Sequence, residues 1–168
     1  MTHAYLGPGS SSEEVKQALD KQGVTYTQFS SENELIKTTA DLINKNFVIG
    51  WFQGRMEWGP RALGARSILS NACNPEMKDI LNLKVKHRER FRPFAPVVPA
   101  EDALKYFECD DPVPLPTDYM LMVYPVVDKI RKKIPAVTHV DGSGRLQTIR
   151  KEQNPRYWGV IKEFGKKS

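Results

Sequence analysis

Two stretches of this sequence carry residue types suited to holding an anion. Gly54-Arg55-Met56-Glu57-Trp58-Gly59-Pro60-Arg61-Ala62-Leu63-Gly64-Ala65-Arg66 sets three arginines among three glycines. Glycine lets a backbone approach a ligand closely, and arginine presents planar, bidentate donors matched to phosphate or carboxylate oxygens. The GxxxxGK[ST] pattern is absent, so this is not a P-loop. A Gly-rich connection with solvent-facing arginines is the bland alternative. The second stretch, Lys86-His87-Arg88-Glu89-Arg90-Phe91-Arg92-Pro93-Phe94-Ala95-Pro96, packs four cations into seven residues. If it is extended, alternation sends Lys86, Arg88, Arg90 and Arg92 to one side. So much like charge on one face is unfavourable unless an anion compensates it.

A third candidate is Thr138-His139-Val140-Asp141-Gly142-Ser143-Gly144-Arg145-Leu146-Gln147, in which Asp-Gly-Ser-Gly reads as a hairpin turn. His139 can titrate near neutral pH, and Arg145 and Gln147 share a face beyond the turn. His3, His87 and His139 are widely spread, with no HxxxH or HExxH pattern, so no metal site is expected. No Ser/His/Asp triad or paired-carboxylate site can be read from the spacing.

The charge distribution points to the same region. Of 25 basic and 20 acidic residues, nine and four fall between Arg55 and Arg92, so the sixteen of each elsewhere cancel. The whole excess of +5 therefore sits in one window, which favours an anionic partner. Cys73 and Cys109 belong to no CxxC pair and read as free thiols of a reducing compartment. No apolar run approaches the roughly 18 residues of a membrane span, and the N-terminus lacks a signal peptide's apolar core. The expected location is the cytoplasm.

The elements that must position these residues mix helix and strand. Ser11-Ser12-Glu13-Glu14 is a capping box that opens a helix carrying Val15, Ala18 and Leu19 and stopped by Gly23. Val24 to Phe29 reads as a strand. Ser31 to Glu34 opens a second helix with Leu35, Ile36, Leu42 and Ile43. Phe47 to Phe52 reads as a buried strand and Ser67 to Asn71 as another. Asn74-Pro75 starts a helix holding Met77, Ile80, Leu81 and Leu83. Further expectations are a Pro-bounded strand at Pro93 to Val98, a helix at Glu101 to Phe107 and a mobile surface loop at Asp110 to Thr117. Met120 to Val127 reads as a strand, and Ala136 to Val140 pairs as a hairpin with Arg145 to Ile149. Asn154-Pro155 starts a last helix. The class is α/β (α+β), a mixed twisted sheet flanked by helices in one domain over 1–168.

Taken together, Gly50-Trp51-Phe52-Gln53-Gly54-Arg55-Met56-Glu57-Trp58-Gly59-Pro60-Arg61-Ala62-Leu63-Gly64, Lys86-His87-Arg88-Glu89 with Phe91-Arg92-Pro93-Phe94-Ala95-Pro96, and His139-Val140-Asp141-Gly142 resemble the C-terminal domain of the NodU/CmcH-type O-carbamoyltransferases. The likeness runs from Tyr5-Leu6-Gly7-Pro8 to the last helix. It implies a fold similar to the YrdC-type threonylcarbamoyl-adenylate synthases. It also implies an activity, the conversion of carbamoyl phosphate and ATP, with Mg²⁺, into carbamoyl adenylate. A preceding metal-binding domain, absent here, would transfer the carbamoyl group to an acceptor hydroxyl. By the resemblance, Arg61, Lys86 and Arg92 are the catalytic cations on carbamoyl phosphate, and Arg66 and Arg88 help bind it. Gln53, Arg55, His139, Asp141, Arg145 and Gln147 fall to the nucleotide. Lys86 and Arg88 echo the Lys-x-Arg signature of the YrdC-like fold. The family continues with an Asn-Thr-Ser-Phe-Asn segment beyond Ser168, so an incomplete nucleotide pocket and an inactive isolated chain are expected. The rival readings are a nucleic-acid-binding module on the basic patch and a purely structural docking domain.

Overall fold

In the computed structural model, residues 2–168 are described. Helix α1 (Ser12–Lys21) starts at the expected capping box: Ser11 Oγ accepts from Glu14 N–H, and the Glu14 carboxylate accepts from Ser11 N–H at 2.7 Å. None of its residues is buried, so Val15, Ala18 and Leu19 do not form a core face. Val24 to Phe29 is not a strand. It finds no ladder partner, and Val24 and Tyr26 stay exposed. The core begins with α2 (Glu32–Asn44), capped by Ser31 and burying Thr39, Ala40 and Ile43.

The strands form three short two-stranded ladders rather than one continuous sheet, within a mixed α/β architecture. Strands β1 (Ile49–Phe52) and β2 (Arg66–Leu69) pair antiparallel, with Trp51 opposite Ser67 and Phe52 opposite Arg66. Only Trp51 of β1 is buried, so the apolar run is an alternating strand and not a fully buried one. Helix α3 (Met77–Ile80) opens two residues after Pro75, because Asn74 spends its side chain on an Asx turn to Glu76 N–H. It widens into a π-helical segment, Leu81–Lys86, closed by His87 in the left-handed region at φ 48°. Lys86 to Arg92 is therefore not extended, and its cations do not alternate along a strand.

Strand β3 (Val97–Pro99) leads through a 3₁₀ turn at Ala100–Asp102 into α4 (Ala103–Tyr106). The proline-rich stretch is only partly a surface loop. Leu115–Tyr119 forms a 3₁₀ turn that buries Thr117 and Asp118, with Thr117 Oγ1 2.6 Å from Thr148 Oγ1. Of Met120 to Val127, only β4 (Tyr124–Pro125) and a bridge at Val126 are strand. Helix α5 (Asp128–Arg131) follows. Ala136 to Val140 is not a strand, and the expected hairpin does not form. Instead β5 (Ser143–Gly144) pairs with β4, and β6 (Gln147–Ile149) runs parallel to β3, Val97 opposite Gln147. Helix α6 (Pro155–Phe164) starts as read, with Asn154 as cap and Pro155 in its first turn.

Two larger apolar clusters and a smaller one hold these pieces. One gathers Val98, Ala103, Phe107, Val126, Val137 and Leu146, the other Ile43, Trp51, Leu69, Ile149, Tyr157 and Val160. Met77, Leu81 and Ala136 form the third. Each fully buried large side chain contributes about 1.5–3 kcal/mol. Helices α2 and α6 cross closely because residue 159 is glycine, where an added Cβ would come 2.8 Å from Ile36 Cδ1. Among the described residues no helix is long and apolar enough to cross a membrane.

Candidate anion-binding cleft

The connection from β1 to β2 is built around a carboxylate. Glu57, its side chain 2% exposed, accepts through Oε1 from the N–H groups of Leu63 (2.9 Å), Ala65 (2.7 Å) and Arg66 (3.0 Å). Its Oε2 takes the Arg66 guanidinium at 3.1 Å. The Gly64 carbonyl in turn accepts from Trp51 Nε1, Gln53 Nε2 and Asn154 Nδ2. Gly64 sits at φ +109°, and a Cβ there would lie 2.2 Å from the Tyr157 ring. This glycine serves packing, not ligand approach. The loop that carries Arg61 is thus fixed from both sides.

The basic segment is held by Asn82, which is wholly buried. Its Nδ2 donates to the carbonyls of Arg90 (3.2 Å) and Arg92 (2.9 Å), and its Oδ1 accepts from Arg88 Nε at 2.7 Å. Arg88 also lies over the Phe94 ring, 4.6 Å from its centroid. The parallel ladder then brings two distant segments together. Arg92 to Phe94 run into β3 and His139 to Arg145 run into β6, so both enter from the same end of one ladder. Between them lies a cleft of about 450 Å³ lined by Arg88, Arg92, Pro93, Phe94, Val123, His139 and Arg145.

Its electrostatics are one-sided. Burial, followed by the charges of Arg61 and Arg88, pushes the Arg145 guanidinium below the usual arginine range. Among the described residues, Arg61, Arg88 and Arg145 form no ion pair with a carboxylate. Arg92 pairs with Glu89 at 3.1 Å, and both are exposed. Arg145 Nε and His139 Nε2 are buried without a hydrogen-bond partner. Burial chiefly, with the charges of Arg145 and Lys78, also holds His139 below the usual histidine range, against the opposing pull of Asp141.

The structure gathers only some of the residues singled out in the sequence. Arg88, Arg92, His139 and Arg145 line the cleft, Asp141 reaches His139 through Ser143, and Arg61 stays outside the lining but near enough for its charge to act on Arg145. Lys86 is exposed at the end of the π segment and does not line the cleft. Arg55 donates to the carbonyls of Gly7 and Leu6, Gln53 to Gly64 and Asn154, and Arg66 pairs with Glu57 beneath the cleft loop. Gln147 is buried, donates to the Leu63 carbonyl and lines a small cavity with Tyr5 and Asp118. Sequence reasoning missed Glu57, Asn82, Ser143 and Lys78. Glu57 alone left a signal, as the single acid between Gln53 and Arg66.

Comparison with known proteins shows which sequences this chain resembles. An uncharacterized protein of Synechocystis sp. is 41% identical over 98% of this chain and 29% of its own length. Nodulation protein NolO of Bradyrhizobium diazoefficiens is 40% identical over 98% of this chain and 30% of its own. Nodulation protein NolNO of Sinorhizobium fredii is 41% identical over the whole chain and 25% of its own. The chain thus spans less than a third of the length of these curated relatives. The family described as Carbamoyltransferase C-terminus matches residues 40–168, which cover every cleft residue, and the chain belongs to that family.

Proposed function

We propose that this chain is the part of an O-carbamoyltransferase that binds carbamoyl phosphate and ATP and forms carbamoyl adenylate. A metal-binding domain elsewhere in the full-length protein would then transfer the carbamoyl group to an acceptor hydroxyl. The observation that carries this reading is a cleft lined by Arg88 and Arg145, with Arg61 near enough for its charge to act on Arg145, and, among the described residues, no carboxylate paired with any of the three. Like charges gathered around one cleft favour an anion there, and carbamoyl phosphate with a nucleotide triphosphate supplies several negative charges. Fixed guanidinium groups would also stabilise charge building on transferred phosphoryl oxygens. Phe94 and Val123 give the cleft an apolar wall. No carboxylate lines it, so its residues do not fit a protein-held Mg²⁺. An ion accompanying ATP would be carried on the phosphate oxygens.

Within this reading Arg61, Arg88, Arg92 and Arg145 hold phosphoryl groups, and Lys86 is an exposed cation at the rim. Isothermal titration of carbamoyl phosphate and of ATP tests it. Arg145→Ala and Arg88→Ala are each expected to weaken carbamoyl phosphate by about tenfold or more, the range of a charge-assisted hydrogen bond. Unchanged affinity in both would sink the cleft assignment. If Lys86→Ala costs as much as Arg145→Ala, the bound phosphate lies nearer the π segment than the cleft does.

A further inference from the structure

Two residues that line the cleft, His139 and Arg145, each carry a buried side-chain nitrogen without a partner, Nε2 and Nε, and their chemistries are opposite. Ser143 Oγ lies 2.7 Å from Asp141 Oδ1 and 2.9 Å from His139 Nδ1. The hydroxyl has one proton and an ionised carboxylate only accepts, so Ser143 donates to Asp141 and receives its own hydrogen bond from His139 Nδ1–H. A neutral imidazole with its proton on Nδ1 leaves Nε2 as a lone-pair acceptor. The groups acting on the ring are Asp141, Arg145 and Lys78, with burial the largest influence, and together they favour the neutral form. Arg145 Nε, in contrast, can only donate. Arg88 and Arg92, the other polar side chains lining the cleft, can also only donate. His139 Nε2 is therefore the one acceptor among the lining side chains.

We propose that His139 Nε2 and Arg145 Nε together read a carbamoyl group, Nε2 accepting its N–H and Arg145 Nε donating to its C=O. This rests on the reading that the cleft holds carbamoyl phosphate, and it makes His139 the residue that selects against acyl phosphates lacking the amide. A carbamoyl group presents an N–H and a C=O on the same edge. Acetyl phosphate puts a methyl group where the N–H stands and leaves the buried acceptor unpaired, the situation in which discrimination is largest. Asp141 and Ser143 are positioning residues, acting by fixing which ring nitrogen carries the proton.

Titration of the full chain with carbamoyl phosphate, acetyl phosphate and inorganic phosphate at neutral pH tests this. The wild type is expected to prefer carbamoyl over acetyl phosphate by about tenfold or more. His139→Ala should bring that ratio to roughly one, and His139→Gln, which returns an acceptor, should recover part of it. Asp141→Ala should lower the ratio and also move the ¹⁵N signals of His139 away from the Nδ1-protonated pattern, a signature that a merely structural role would leave in place. Equal affinity of the wild type for carbamoyl and acetyl phosphate, with inorganic phosphate still bound in an Arg145-dependent way, overturns this inference and keeps the anion cleft. A carbamoyl preference that survives His139→Ala removes His139 from the role. Binding of none of the three overturns the cleft reading beneath it.

Discussion

Replacing Glu57 should unfasten the loop that carries Arg61, and the size of the effect can be worked from its partners. In Glu57→Ala three backbone N–H groups and one guanidinium nitrogen lose an acceptor that is itself buried. Removing one partner of a buried, hydrogen-bonded charge pair costs about 3–5 kcal/mol. At about 2–4 °C per kcal/mol for a chain of this size, the midpoint should fall by roughly 6–20 °C. Glu57→Gln separates the contributions. Its carbonyl oxygen can still take the three N–H groups, while its amide N–H₂ now faces Arg66, so a smaller loss of about 1–3 kcal/mol is expected. Urea unfolding followed by circular dichroism measures both variants on one scale. Glu57→Ala within about 1 kcal/mol of the wild type, or Glu57→Gln as damaging as Glu57→Ala, would refute the account of the loop.

Other expectations follow from the same geometry. Asn82→Ala should cost about 1–3 kcal/mol in urea unfolding and weaken phosphate binding, because it frees the carbonyls of Arg90 and Arg92 and the Arg88 guanidinium. Gly64→Ala should destabilise strongly, and a thermal melt should show part of the loss recovered when Tyr157 is also reduced to leucine. His139 binds a proton less readily in the fold than in the unfolded chain, where its value is near 6.5. Its contribution to stability is therefore complete above that value and lost as pH falls through the lower folded value, and His139→Gln should flatten the pH dependence of unfolding in that window. If the cleft serves a small phosphate ligand, binding should fall only shallowly with salt, whereas the steep slope of a multi-phosphate nucleic-acid contact would favour the basic-patch rival.

What could be read in the sequence was local. The Ser11 box, the Ser31 cap and the Asn154-Pro155 start each rest on residues within one helical turn, and each forms as read. Pairing was harder, because a strand needs a partner that its own residues do not specify. Val24 to Phe29 has strand composition and no neighbour. The Asp-Gly-Ser-Gly turn does form, His139 N–H reaching the Ser143 carbonyl at 2.8 Å, but the chain beyond it pairs with β4 and β3 instead of folding back. The concentration of charge between Arg55 and Arg92 was legible, yet the third arginine, Arg145, lies outside that window and joins only through the ladder. Glu57 was hidden for another reason: an acid among arginines reads as surface compensation until its burial is known.

The parallel ladder of β3 and β6 acts as a gauge for the cleft. Its register sets how far Phe94 and Arg92 stand from Arg145, and a slip of two residues would slide one wall past the other by roughly 6–7 Å. The chain between the two strands, from Ala100 to Leu146, has no such duty along most of its length. Insertions or deletions in the proline-rich stretch before Leu115 can leave both walls where they are. A single added residue between Phe94 and Val97, or between Arg145 and Gln147, cannot, since it would turn a guanidinium or a ring to the opposite face. Length variation across the family should therefore gather in the long crossover and be excluded from the two short approaches to the ladder.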